Sequence, residues 1–330
     1  MPSHRPKVAI NGFGRIGRAF ARLRASDRNC PFDLVACNDL ADPKALAYLL
    51  ELDTVHRTAA QPVTLTENTL SIGDVVMRVL AERDPAALPW AELNVDLVVE
   101  STGHFRAKSK AAKHLTAGAK RVVLSAPGDG NDPPDVTVVA GINHDDIEPS
   151  HTVISAASCT TTCLAPVAKV LHETFGIRSG TMTTIHAYTA DQALVDSVHK
   201  DFRRGRAAGA NIVPTSTGAA KAIGLVVPNV AGKLHGIAVR VPVPDVSLID
   251  LTIHTEKPVT AESANAALAN AAAEMMPGTL RIESRPVVSS DLMGESAGSV
   301  IDAALTASPG DNMLQVVSWY DNEWSYASRL

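Results

Sequence analysis

The 330-residue chain has only four cysteines, and aromatic residues make up just 4% of it. The cysteines show no paired spacing, so a disulfide framework is not expected. Cys159 and Cys163 stand at C-x3-C spacing, but no second Cys or His pair follows at zinc-site spacing, so a structural metal is not expected either. There is no excess of positive charge: 30 Lys and Arg against 35 Asp and Glu leave a formal charge of −5, with no general pull toward nucleic acid or an anionic membrane. No apolar run is long enough to cross a bilayer, and the opening M-P-S-H-R-P-K lacks the apolar stretch of a secretion signal. No fixed-period repeat or low-complexity tract is present. These absences lead to an expectation of a soluble, cytoplasmic protein with no nucleic-acid partner and no membrane association. With 45% apolar and 20% charged residues, the chain reads as an ordinary globular protein long enough for two domains.

The chemistry present centres on Ser155 to Cys163, S-A-A-S-C-T-T-T-C. The β-branched Thr152, Val153 and Ile154 predict a strand before it. Leu164, Val167, Ala168, Leu171 and Phe175 recur at helical spacing after it. Cys159 therefore falls where a strand gives way to a helix, with Ser158 as N-cap. The partial positive charge of a helix start favours an anion, so a thiol there is expected to ionise more readily, and the thiolate is the nucleophilic form. A lone cysteine is more often buried and inert. The choice between catalyst and core residue rests on the remainder of the chain.

In the first half, a short strand at Lys7 to Ile10 runs into N-G-F-G-R-I-G. Gly12, Gly14 and Gly17 form G-x-G-x-x-G before a helix predicted from Arg15 to about Ala25. The first two glycines let the backbone turn and approach a pyrophosphate, and the third allows close helix–sheet packing. The helix start then faces the phosphates. A second strand, Leu34 to Cys37, ends in Asn38-Asp39, and Asp39 lies about 20 residues past the last glycine, where a carboxylate accepts from a ribose hydroxyl. A carboxylate there repels the extra phosphate of NADP, so NAD is the expected cofactor. Strands at Val75 to Leu80, Asp96 to Glu100 and Arg121 to Leu124 continue the pattern. The last two run into S-T-G-H-F and S-A-P, at the strand ends where an open α/β sheet places its ligand. Strands alternating with helices predict an α/β fold, a Rossmann-type doubly wound parallel sheet.

The second half has a different texture. Gly180 to Tyr188 reads as a strand carrying His186, which is either a hydrogen-bonded core histidine or, beside Cys159, a group that moves protons. Asp191 to about Thr217 has little regular periodicity and a basic cluster, H-K-D-F-R-R-G-R. Its single aromatic residue and the lack of a wider basic field argue against RNA. Arg204 could hold a phosphate, and P-T-S-T-G-A-A-K opens a helix with a hydroxyl and a glycine, either an anion seat or a plain cap. Gly236 to Val243 and Val246 to His254 predict two adjacent, antiparallel strands. Arg240 inside the first is either salt-bridged or ligand-binding. An Ala-rich helix at Ala261 to Met276 and strands at Val300 to Leu305 and Met313 to Tyr320 complete an α+β layer with a mixed sheet.

These motifs together closely resemble the phosphorylating glyceraldehyde-3-phosphate dehydrogenase family along nearly the whole length. The carriers are N-G-F-G-R-I-G-R, Asn38-Asp39, E-S-T-G-H-F, S-A-P, S-C-T-T-x-C-L-A-P, T-T-I-H-A-Y-T, H-K-D-F-R-R-G-R-A-A, P-T-S-T-G-A-A-K-A, A-V-R-V-P-V-P and W-Y-D-N-E-W-S-Y. The resemblance implies Cys159 as nucleophile and His186 as base. It implies Ser158, Thr160, Thr189, Arg204, Thr217, Gly218 and Arg240 as ligands of the substrate phosphate and of inorganic phosphate. Arg15, Ile16, Asp39, Arg83, Thr102, Ser125 and Asn322 would contact NAD, with Tyr326 near the nicotinamide. The implied domains are 1–157, NAD-binding and rejoined by 320–330, and 158–319, catalytic. A homotetramer is implied, with the Asp191–Thr217 stretch lining a neighbouring subunit's cofactor site.

The implied reaction converts glyceraldehyde 3-phosphate to an acyl phosphate through a cysteine hemithioacetal and a thioester. Erythrose-4-phosphate dehydrogenase is a near relative, but its members diverge around S-T-G-A-A-K and H-A-Y-T, both kept here. The intact Cys159, His186 and Arg240 argue against a catalytically idle relative. The sequence departs from the family pattern at Ala156 and Thr162, where Asn is usual, so hydrogen bonds behind the nucleophile are expected to differ. The family pattern also continues past Tyr326 into a C-terminal helix packed on the first domain, whereas the sequence ends at Leu330. Either apolar surface is left uncovered there or the sequence is shortened. Leu40 and Val198 both lean toward NAD.

Overall fold

The apolar segments of the first half fold as strands of one sheet. In chain order these are β1 (Lys7–Asn11), β2 (Asp33–Asn38), β3 (Val63–Thr66), β4 (Thr69–Ile72), β5 (Val75–Leu80), β6 (Leu97–Glu100), β7 (Arg121–Leu124), β8 (Val136–Thr137) and β9 (Val153–Ser155). The computed structural model describes residues 5–330. The strands lie in the order β3-β4-β5-β2-β1-β6-β7-β9-β8. From β5 to β8 every pairing is parallel. Strands covered on both faces are continuous apolar runs, and Val8, Ala9 and Ile10 of β1 are all fully buried. At the other edge β3, β4 and β5 form an antiparallel meander. The doubly wound sheet is therefore parallel with one antiparallel edge. The sequence reading missed β3 and β4 because V-T-L-T and T-L-S-I place Thr and Ser on the exposed side and show no apolar run.

The second half holds β10 (Ile177–Ala187), β11 (Val213–Ser216), β12 (Leu234–Val241), β13 (Ser247–Thr255), β14 (Leu280–Glu283), β15 (Ser299–Asp302), β16 (Ala307–Gly310) and β17 (Met313–Tyr320). Their order is β11-β12-β10-β13-β17-β15-β14, with β16 on β17. β10 runs parallel to β12 and antiparallel to β13. The two strands expected to be neighbours are thus antiparallel but separated by β10. The short link between them arcs over the end of β10, where Tyr188 N donates to Val243 O at 3.1 Å. The helix Cys159–Phe175 lies against this unit and buries Cys163, Leu164, Val167, Ala168 and Leu171 completely.

By contact density the chain divides into two units. One comprises residues up to Val138, Asp145–Ala157 and Ala327–Leu330; the other comprises Val139–His144 and Ser158–Tyr326. Among the described residues no helix is long and apolar enough to cross a membrane.

Candidate active site

Cys159 opens the helix Cys159–Phe175, and the Ser158 hydroxyl caps it by accepting from Thr161 N at 3.1 Å. The chain enters this turn through Ala157, whose φ of 57° lies in the left-handed region that non-glycine residues seldom adopt. His186 comes from the far end of β10, and its Nε2 lies 3.6 Å from Cys159 Sγ. His186 Nδ1 is 2.7 Å from the Ala187 carbonyl oxygen. A carbonyl can only accept, so Nδ1 carries the proton and the Nε2 lone pair faces the sulfur. Burial first, and then the nearby Arg240 charge, hold the imidazole down at about 3. Burial also pushes the Cys159 thiol up, against the pull of Arg240 and of hydrogen bonding from Thr160. This corrects the expectation of an acidified thiol: burial outweighs the helix start. The resting pair is a neutral thiol beside a neutral imidazole with an open acceptor.

Tyr320, at the end of β17, fixes this pair, a role that sequence reasoning missed. Its ring meets His186 edge-on, with centroids 5.9 Å apart. Its hydroxyl lies 2.9 Å from Thr160 Oγ1 and 2.8 Å from Thr184 Oγ1. Thr160, expected as a phosphate ligand, is buried with its hydroxyl turned to Tyr320. Thr162 is also buried, with its methyl group against the backbone at Gly298.

Arg240 sits on β12 directly opposite His186 in the register. Its Nη1 donates to Thr189 Oγ1 at 2.8 Å and to Ala187 O at 3.2 Å. Its Nε is buried and has no hydrogen-bond partner among the described residues. Thr189 donates to Asp191, and Asp191 accepts from Arg204 Nη1 at 2.5 Å. Two guanidinium groups and a hydroxyl thus gather beside the thiol–imidazole pair, a donor set suited to phosphate oxygens. Thr217 Oγ1 accepts from Ala219 N at 3.2 Å at the start of the helix Ala219–Val226, for which Gly218 is the N-cap.

The first unit carries a cleft of about 470 Å³ at the carboxyl ends of β1, β2 and β6. Gly12, Gly14, Asp39, Arg83 and Thr102 line it. Gly12 has φ +93°, and a Cβ there would lie 2.6 Å from Thr102 N. A Cβ on Gly17 would lie 2.4 Å from Gly12 O. Both glycines are required by close backbone approach. Asp39 Oδ2 accepts from Phe13 N at 2.8 Å, tying the carboxylate to the glycine turn. Its Oδ1 accepts from Ala41 N at 3.0 Å. Gly12→Ala is expected to destabilise the unit by about 1–3 kcal/mol and to weaken NAD binding roughly tenfold or more. Thermal unfolding and calorimetric titration with NAD check this, and unchanged affinity would contradict it.

The other expected cofactor residues are distributed differently. Arg15 and Ile16 open the helix Arg15–Ser26 but do not line the cleft, and the Arg15 guanidinium is paired with Asp53. Ser125 is tied by its backbone N–H to Glu100 O at 2.9 Å. Asn322 and Tyr326 are buried in the second unit, and Asn322 Oδ1 accepts from Ser247 Oγ at 2.6 Å.

Beneath the cleft lies a buried polar relay that sequence reasoning also missed. Glu100 Oε1 accepts from Thr102 N at 2.8 Å and Thr102 Oγ1 at 2.5 Å. Its Oε2 accepts from Asn11 Nδ2 at 2.6 Å and meets His114 Nε2 at 3.0 Å. Trp90 Nε1 donates to His114 Nδ1 at 2.9 Å, which fixes the tautomer with its proton on Nε2 toward Glu100. A buried carboxylate so satisfied holds the ends of β1 and β6 in one arrangement.

Comparison with known proteins agrees with this geometry. Residues 6–108 match the family model described as glyceraldehyde 3-phosphate dehydrogenase, NAD binding domain, and residues 158–322 match that of its C-terminal domain. Over 325 residues the chain is 51% identical to glyceraldehyde-3-phosphate dehydrogenase 1 of Bacillus cereus, covering 98% of this chain and 96% of that one. The glyceraldehyde-3-phosphate dehydrogenase of Geobacillus stearothermophilus is similar to the same extent, at 51% identity over 325 residues. The chloroplastic glyceraldehyde-3-phosphate dehydrogenase A of Zea mays is 49% identical over 326 residues, covering 98% of this chain and 80% of its own.

Proposed function

Because the chain belongs to the glyceraldehyde-3-phosphate dehydrogenase family, we propose that it oxidises D-glyceraldehyde 3-phosphate, with NAD and inorganic phosphate, to 1,3-bisphosphoglycerate. The observation that carries this reading is the Cys159–His186 pair, 3.6 Å apart, beside two guanidinium groups. NAD supplies the acceptor for hydride. Gly12, Gly14 and the helix start at Arg15 would hold its pyrophosphate, and Asp39 its ribose.

The chain's own residues do the rest. Cys159 Sγ bonds to the aldehyde carbon, and the thiol proton passes through His186 Nε2 to the aldehyde oxygen, giving a hemithioacetal. His186 then takes the hydroxyl proton as hydride departs, and the carbon becomes a thioester. Phosphate oxygen bonds to the acyl carbon, the C–S bond breaks, and the leaving thiolate recovers its proton from His186. The proton on imidazole is costly in this buried place beside Arg240, so it is held only while the sulfur or the oxyanion carries negative charge. Arg240, Arg204 and Thr189 bind the phosphate groups, with Ser158, Thr217 and Gly218 supplying helix-start donors.

The protein works as a homotetramer. The support is the stretch after β10, which exposes Leu194, Val198 and Phe202 by 86%, 104% and 87%, apolar surface of the kind that another copy covers. The assay of the function mixes the protein with NAD, phosphate and glyceraldehyde 3-phosphate and follows reduced cofactor by absorbance. A rise that needs all three is expected. No rise beside a working control enzyme would make this an idle relative.

A further inference from the structure

This inference rests on reading Thr189, Arg204 and Arg240 as phosphate donors, and it concerns what regulates that seat. Both carboxylate oxygens of Asp191 are held by groups that reading assigns to phosphate: Oδ1 takes the Thr189 hydroxyl proton, and Oδ2 accepts from Arg204 Nη1 at 2.5 Å. Thr189 Oγ1 already accepts from Arg240 Nη1 at 2.8 Å, so its one proton is committed to Asp191. Arg204 Nε donates to Thr215 Oγ1 at 3.0 Å and lies 3.5 Å from Asp201 Oδ2, and its Nη2 donates to Ser216 O at 3.3 Å. To these donors a carboxylate and a phosphate offer the same thing, two anionic oxygens side by side.

The Asp191 side chain is 44% exposed, whereas that of Arg204 is 21% exposed. Arg240 is anchored on β12, and Asp191 follows β10 outside any helix or strand. The carboxylate is therefore the partner able to leave. Burial raises its pKa, but the Thr189 hydroxyl and the Arg204 and Arg240 charges outweigh that and hold it below the usual carboxylate range, so it stays anionic at neutral pH.

We propose that Asp191 is an intramolecular stand-in for phosphate: it pairs the seat's donors itself, and a phosphate group binds only by displacing it. Asp191 thereby weakens the hold on phosphate and speeds its release, both by competing for donors and by repelling the incoming dianion. It acts on binding, not on the reacting carbon.

The test uses the full chain and its Asp191→Asn and Asp191→Ala variants, titrated calorimetrically with inorganic phosphate and, separately, with glycerol 3-phosphate as an unreactive phosphate ester. Both variants are expected to bind at least one probe roughly three- to fivefold more tightly, the scale of releasing one partly exposed charge pair. Tightening for free phosphate alone assigns Asp191 to the seat of the attacking phosphate. Tightening for the ester alone assigns it to the seat of the substrate's phosphate. Equal or weaker binding of both probes overturns the proposal. Arg240→Gln separates the two levels: if it binds both probes like the parent, the phosphate reading itself fails. If it binds more weakly while the Asp191 variants do not tighten, only the role of Asp191 fails.

Discussion

Cys159→Ser is expected to abolish turnover, by roughly a thousandfold or more, while NAD affinity stays within about twofold of the parent. The reason lies in the acidity of the attacking atom. A serine hydroxyl is far less acidic than a thiol, and the base facing it, His186, is a weak one whose pKa is held down at about 3. A thiol can pass its proton through such a base because sulfur is nucleophilic even when only slightly ionised; a hydroxyl cannot. The glycine turn, Asp39 and Thr102 that line the cleft of the first unit all lie in that unit, so the substitution leaves them untouched. Turnover within tenfold of the parent would remove the covalent route.

Replacing His186 with Asn should lower turnover by roughly a hundred- to ten-thousandfold, the usual weight of a positioned proton-transfer group. Alkylation of Cys159 by iodoacetamide at neutral pH should slow with it, and its rate should then climb with pH as the thiol ionises on its own. Stability gives a second readout. The imidazole falls from an ordinary 6.5 to about 3 on folding, so the unfolded chain binds a proton that the folded chain rejects. His186 therefore leaves stability intact above pH 6.5 and costs about 1.4 kcal/mol per pH unit as pH falls below that, toward 3. His186→Asn should remove one proton's worth of this acid slope, measured by urea unfolding at pH 5 and pH 7. An unchanged slope together with unchanged alkylation would show that the imidazole faces something other than the sulfur.

How far the sequence could be read depended on whether a signal was local. The parallel strands were legible because burial on both faces leaves apolar residues in unbroken runs, as in Val8, Ala9 and Ile10 of β1. The hairpin of β3 and β4 was not, since its exposed side is written in Thr and Ser. The start of the Cys159 helix was legible from Ser158, whose cap is a local bond. The pairing of Cys159 with His186 spans 27 positions and depends on which strand lies under the helix start, which residue types alone do not fix. For the same reason β12 and β13 read as neighbours: nothing local in either strand records that β10 lies between them. Tyr320 and the Trp90–His114–Glu100 relay consist of residues that are unremarkable one by one and acquire roles only through distant partners. The thiol's ionisation was misjudged because a helix start can be seen in sequence and the depth of burial cannot.

The most direct measurement is the intact mass of the protein after mixing with NAD and glyceraldehyde 3-phosphate in the absence of phosphate, followed by peptide mapping. One 3-phosphoglyceroyl group should appear on the peptide containing Cys159, and adding phosphate should release it as the acyl phosphate. Reduced cofactor forming with no such adduct, or with the adduct on a peptide lacking Cys159, would contradict the account.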